Sequence, residues 1–146
     1  MRKRSVLFLC TGNSCRSQMA EGLLRQVAGD RFDVFSAGTR PAGLNPDSVR
    51  AMQEVGIDIA GHRSKCVDEY AGREFDFVIT VCDAARQSCP VFPSAAVRLH
   101  WDLEDPAAAR GSYDDRMHVF RSIRDEIAGR IREFLEKEAS AAEVWE

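Results

Sequence analysis

The sequence predicts a single α/β domain built on an open, mostly parallel four-stranded sheet with helices on both faces. Short apolar or β-branched runs alternate with helix-length amphipathic segments, the pattern of strand–crossover–strand units. The 146 residues, 45% apolar and 29% charged, suit one ordinary buried core. No internal repeat, low-complexity run or linker divides residues 1–146, and 137–146 is expected as a frayed tail.

Ser5–Leu9 reads as a short buried strand. Gln18–Val27 follows as a helix with Met19, Leu23, Leu24 and Val27 on its core face. Phe32–Ser36 is a second strand, and the segment TRPAGLNPD after it is loop-like. Pro46 suits the first turn of a helix that runs to about Val55, where Gly56 stops it. Lys65–Ala71 is expected as a short helix. Phe75–Val81 is the strongest strand, rich in β-branched and aromatic residues, and Ala96–Leu99 is a weaker fourth. Tyr113–Leu135 closes the domain as a long helix with Met117, Phe120, Ile123, Ile127, Ile131 and Phe134 on one stripe.

Composition narrows the function classes. A net charge of -3 argues against a general nucleic-acid binder. No apolar run approaches the ~18 residues that span a bilayer. The four-residue apolar run Val6–Leu9 is too short for a signal peptide, so the expected location is cytoplasmic. Five cysteines, an odd number, point away from a disulfide framework. Their C-x4-C and C-x6-C spacings and the scattered His62, His100 and His118 give no expectation of a zinc site.

The chemistry gathers in the stretch CTGNSCRS, which follows the first strand. A loop between a strand and a helix turns successive N–H groups into a concavity, and the helix N-terminus adds partial positive charge. The backbone of Thr11, Gly12, Asn13, Ser14, Cys15 and Arg16 is thus expected to cradle a tetrahedral oxyanion. Gly12 supplies the tight turn, and Arg16 offers a planar fork for two oxygens. The same field is expected to lower the Cys10 pKa, from about 8.5 to roughly 3.5–7.5 in such settings. Ser17 is placed to donate to the sulfur. The Cys15 and Cys66 thiols have no assigned task. In parallel α/β sheets ligands sit at the carboxyl ends of strands. Cys82, which ends the third strand, therefore belongs at the same edge as Cys10.

The C-x5-R-S pattern, SAGT at residues 36–39 and the pair Asp105-Pro106 resemble the low-molecular-weight protein tyrosine phosphatase family over nearly the whole chain. The resemblance implies that family's fold, with Cys10 as nucleophile and Asp105 as the acid that protonates the leaving oxygen. Two features are closer to a branch that shares this fold, the thioredoxin-coupled arsenate reductases. One is the second cysteine pair in TVCDAARQSCP, and the other is Ala107 where the phosphatases carry a Tyr.

That resemblance implies reduction of arsenate to arsenite. Cys10 attacks arsenic, Cys82 attacks Cys10, and Cys89 attacks Cys82, leaving a Cys82–Cys89 disulfide for thioredoxin. Were 82–89 helical when reduced, its end Cα atoms would stand about 10 Å apart. A disulfide needs roughly 7 Å or less, so Asp83–Ser88 is expected to unwind on oxidation. The expected partners are arsenate and thioredoxin, with no nucleic acid and no membrane. No cofactor is expected. Potassium, which some reductases of this branch hold with ligands matching Asn13, Glu21, Ser36 and an Asp at position 65, is disfavoured by Lys65. Asn13 would then chiefly brace the loop, helped by His62. The alternatives are a phosphatase and a non-enzymatic oxyanion or redox sensor.

Overall fold

A computed structural model describes residues 3–82 and 97–145, with side chains described up to residue 138. Four parallel strands form one sheet: β1 (Arg4–Cys10), β2 (Phe32–Gly38), β3 (Phe77–Thr80) and β4 (Val97–His100), in the order β2-β1-β3-β4. Among the described residues three helices accompany them: α1 (Arg16–Ala28), α2 (Pro46–Gln53) and α3 (Tyr113–Trp145). The short helix expected over Lys65–Ala71 is a single 3-10 turn, Val67–Tyr70. Cys89 and the segment 83–88 lie outside the described residues, as does the expected first residue of the fourth strand.

The strand order sets the site. The chain passes from β1 out to β2 on one side and then returns to place β3 on the other side of β1. The reversal opens a crevice at the carboxyl ends of β1 and β3, where sheets of this kind bind ligands. Leu9 pairs with Thr80, and the Val81 N–H donates to the Leu9 carbonyl at 2.8 Å. Cys10, the last residue of β1, and Cys82, two residues beyond β3, therefore lie at one edge of the sheet, the edge the sequence predicts.

Strand alternation assigns the faces. Ser36 bonds to Glu21 of α1, and Phe32 and Phe77 pack on Phe134 of α3. Phe35, of opposite parity, meets Tyr70 and Phe75, ring centroids 5.7 Å away in each case. Most element ends shift by one or two residues from the sequence reading, and two of the differences have a clear physical reason. β3 begins at Phe77 rather than Phe75, because Asp76 turns its carboxylate back onto the Ser5 N–H at 2.7 Å. α3 runs past Leu135 and through the tail expected to fray, reaching Trp145. Residues 136–145 hold no glycine or proline to stop it.

The core face expected for α1 also needs correction. Ser17 through Leu24 are all buried, so its first two turns are enclosed on every side. Only the last turn has two faces, with Ala28 in the core and Val27 57% exposed. Gln18 and Glu21 are consequently buried polar groups that need partners. Among the described residues no helix is long and apolar enough to cross a membrane.

Candidate active site

The loop from Cys10 to Arg16 is held from outside by its carbonyl groups. The Cys10 carbonyl accepts from Thr39 N–H (3.2 Å), Thr11 from Arg40 (2.8 Å), Gly12 from Ala42 (2.9 Å) and Ser14 from Asn45 (3.1 Å). The Asn13 carbonyl accepts from Gln18 Nε2 at 3.2 Å and Ser64 Oγ at 2.9 Å. In a trans peptide the N–H points opposite to the C=O, and among the described residues no peptide is cis. With the carbonyls turned outward, the N–H groups between them face the concavity. The Asn13 N–H does so visibly, donating to Cys10 Sγ at 3.1 Å.

The tight turn belongs to Asn13, not to Gly12. Asn13 has φ 48°, while Gly12 takes no positive φ. A left-handed backbone costs an L-residue about 1–2 kcal/mol, least for Asn and Asp. Here the side chain offsets that cost. Its Oδ1 accepts from the Lys65 N–H (2.8 Å) and Gln18 Nε2 (3.0 Å), and its Nδ2 donates to Ser17 Oγ (2.8 Å) and Ser36 Oγ (3.0 Å). The glycine this packing does require is Gly38, at the end of β2. A Cβ there would stand 2.4 Å from the Thr11 carbonyl oxygen. That contact gives the SAGT motif its structural reason.

Behind Asn13 lies a buried polar relay. Gln18 spends its NH2 on Asn13 and on the Arg63 carbonyl, so its Oε1 accepts from His62 Nδ1 at 2.9 Å. Burial pushes the His62 pKa down, which favours the neutral ring with its proton on Nδ1. Ser36 donates to Glu21 Oε1 at 2.6 Å, and Lys65 Nζ stands 3.6 Å from that oxygen and 3.4 Å from Ser36 Oγ. Gln18 and Ser64 were not legible as site residues. A Gln at a helix start and a Ser in a connection carry no motif.

The nucleophile candidate Cys10 is buried, with Ser17 Oγ 2.8 Å from its sulfur. Ser17 accepts from Asn13 Nδ2, leaving its own hydrogen for the thiol. The expectation of a lowered Cys10 pKa is corrected by the structure: burial pushes it up. The Ser17 hydroxyl and the Asn13 and Ser17 N–H groups pull it down but are outweighed, and the nearby Cys82 adds to the rise. Arg16, the cation meant to lower it, points elsewhere. Its Nη1 donates to the Leu103 carbonyl at 3.0 Å, and its Nη2 stands 3.8 Å from Asp105 Oδ2.

A raised pKa means less thiolate at neutral pH. Iodoacetamide labelling of Cys10 is expected to climb only above the ordinary thiol range. Ser17→Ala, which removes a lowering group, is expected to shift the curve to still higher pH. A wild-type midpoint below neutrality contradicts this, as does a Ser17→Ala curve that moves down.

The other expected groups converge on the same mouth. Asp105 is half exposed beside Arg16 and accepts from the Ala107 N–H at 3.0 Å, which fixes the turn Pro106–Ala108. Cys82 is buried, with its sulfur 3.4 Å from Thr11 Oγ1. Cys15 is buried against Ser48 and Ser14, and burial pushes its pKa up. Cys66 is half-buried beside Gly38, to which it forms an isolated bridge. The N-terminus of α1 carries no side-chain cap and no acidic residue in its first turn, which leaves its field for an anion. Among the described residues no group of three His, Cys, Asp or Glu could hold a metal ion.

Known proteins carry the same framework. The sequence pattern described as low molecular weight phosphotyrosine protein phosphatase matches residues 5–143. The arsenate reductase of Halalkalibacterium halodurans is 48% identical over 136 residues, 93% of this chain and 98% of that one. The solved structure of an arsenate reductase in the phosphate binding state superimposes with a TM-score of 0.80 at 31% identity, covering 92% of this chain and 98% of the other. The thioredoxin-dependent arsenate reductase of Corynebacterium glutamicum gives 0.75 at 32% identity, covering 95% of this chain and 63% of that one.

Proposed function

Because the chain belongs to the low molecular weight phosphotyrosine protein phosphatase family, we propose that it uses that family's anion cradle to reduce arsenate to arsenite. Thioredoxin is the proposed electron donor. The observation that carries the reading is the second thiol at the cradle: Cys82 Sγ stands 3.4 Å from the hydroxyl of Thr11, next in sequence to the nucleophile. A phosphatase has no use for it.

Arsenate shares the charge and tetrahedral shape of phosphate, so inward N–H groups and the Arg16 fork suit it. Cys10 sulfur attacks arsenic and an oxygen leaves as water, with its proton drawn from Asp105, from bound water or from the Cys10 thiol itself. The Cys82 thiolate then attacks Cys10 sulfur. An S–S bond forms, the S–As bond breaks, and its electron pair passes to arsenic, which departs as arsenite. Cys89 next attacks Cys82 sulfur, freeing the Cys10 thiolate. The Cys82–Cys89 disulfide is finally reduced by a thioredoxin dithiol, which is itself oxidised. Adjacent strands lie about 4.8 Å apart, within the roughly 7 Å Cα separation that a Cys10–Cys82 bridge allows.

Arsenite release tests the reaction. Fully reduced protein given arsenate and no other reductant should release one arsenite per chain and then stop. If no arsenite forms while a small phosphate ester is hydrolysed, the protein is a phosphatase. Cys10, Arg16 and Asp105 together support residual phosphatase activity even in a reductase.

No potassium is required in this reading. The Lys65 ammonium, beside Glu21 and Ser36, supplies the positive charge a cation would bring. Arsenate turnover is expected to be equal in sodium and potassium chloride at matched ionic strength. A severalfold stimulation by potassium contradicts it.

A further inference from the structure

We propose that Ser64 is a positioning residue for the nucleophile loop, its hydroxyl holding the Gly12 and Asn13 carbonyls so that two successive peptide planes present their N–H groups to Cys10 and to the bound oxyanion. The inference rests on the reading of the loop as an oxyanion cradle. Ser64 Oγ lies 2.8 Å from the Gly12 oxygen and 2.9 Å from the Asn13 oxygen. One hydroxyl hydrogen is thus shared between two neighbouring carbonyls.

Those two carbonyls flank the left-handed residue of the loop, Asn13 at φ 48°. Local backbone preference is weakest there, so the orientation of the adjoining planes depends on outside partners. The Gly12 C=O and the Asn13 N–H belong to one peptide unit. The oxygen goes to Ser64, and the hydrogen goes to Cys10 Sγ at 3.1 Å. A half-turn of that plane would aim a carbonyl oxygen at the sulfur and at any anion above it. A carbonyl that accepts a hydrogen bond also polarises its own N–H into a stronger donor.

Ser64 is itself well placed to impose this orientation. The next residue, Lys65, donates its N–H to Asn13 Oδ1 at 2.8 Å and accepts from the Gly38 N–H at 2.8 Å. The hydroxyl therefore approaches from a backbone fixed on the loop and on β2. Removing it does not orphan either carbonyl. Gly12 keeps Ala42 N–H at 2.9 Å, and Asn13 keeps Gln18 Nε2 at 3.2 Å. The loss should fall on loop orientation more than on folding.

The test compares reduced full-length wild type with Ser64→Ala, Ser64→Gly and Ser64→Thr. Iodoacetamide labelling of the Cys10 peptide is followed by mass spectrometry across pH, with and without inorganic phosphate. In the two hydroxyl-free variants labelling should shift to higher pH. Protection by phosphate should need about tenfold more ligand, the size of one weakened hydrogen bond. Ser64→Thr should behave as wild type. Having two hydroxyl-free variants keeps the comparison open if one fails to fold. Hydroxyl-free variants that match wild type in both readouts overturn the proposal, and so does a Thr variant as impaired as Ala. A wild type that phosphate does not protect overturns it together with the cradle. A wild type that is protected but releases no arsenite strikes only the proposed reaction.

Discussion

Cys89→Ser is expected to release one arsenite per chain and then stop with Cys10 and Cys82 joined. Cys82→Ser is expected to release none. The difference follows from which bond each thiol breaks. In the proposed cascade Cys82 alone breaks the S–As bond and passes the electron pair to arsenic, so without it the Cys10 adduct would have only water as an attacking group. Cys89 in the same scheme would act after arsenite has left, and its loss would strand the first disulfide. Steady-state turnover should fall at least ~10^3-fold in both, a barrier increase of about 4 kcal/mol. Quantifying arsenite in a single turnover, with the disulfide located by peptide mapping, separates the two. Equal and undiminished turnover in both variants would leave the second cysteine pair without a role.

Arg16→Lys keeps the positive charge and is nevertheless expected to lower kcat/KM for arsenate about 10^2–10^3-fold. An ammonium cannot present two parallel N–H groups to two oxygens, and loss of one oriented donor to a developing charge costs about 2.7–4 kcal/mol. A second effect adds to the first. The Arg16 guanidinium joins the loop to the Asp105 turn through the Leu103 carbonyl at 3.0 Å and Asp105 Oδ2 at 3.8 Å. A lysine offers one nitrogen where Arg16 uses two, so it cannot keep both contacts as they stand, and Asp105, the proposed acid, would lose its registry with Cys10. The melting temperature should move little by comparison. A Lys variant within threefold of wild type would remove Arg16 from the anion's contacts.

The sequence exposes whatever depends on local spacing. The register of Cys10, Arg16 and Ser17 after an apolar run places a thiol, a guanidinium and a helix start together. The chain order of strands places Cys82 at the same edge. Other features depend on distant segments meeting, and these were not readable. Residues 39–45 hold the loop through backbone N–H groups, which leave no side-chain signature. The upward push on Cys10 comes from its burial, which only the assembled fold creates, whereas helix-terminus and arginine effects argue locally for the opposite sign. Asn13 carries the turn that Gly12 seemed made for, because its amide finds four partners spread from Ser17 to Lys65. Val27 failed as a core residue for a related reason: periodicity assumes a helix with two faces, and the first half of α1 has none exposed.

In the proposed function the anion cradle of Cys10 serves electron transfer through Cys82 and Cys89. The most direct measurement is arsenate-dependent NADPH oxidation in the presence of thioredoxin and thioredoxin reductase, repeated with a glutaredoxin system or a low-molecular-weight thiol in their place. Continuous NADPH consumption is expected with thioredoxin, one NADPH per arsenite. That consumption should vanish in Cys82→Ser and Cys89→Ser and should not be restored by the substitute donors. No arsenate-dependent consumption with thioredoxin, or turnover that survives loss of either cysteine, would contradict it.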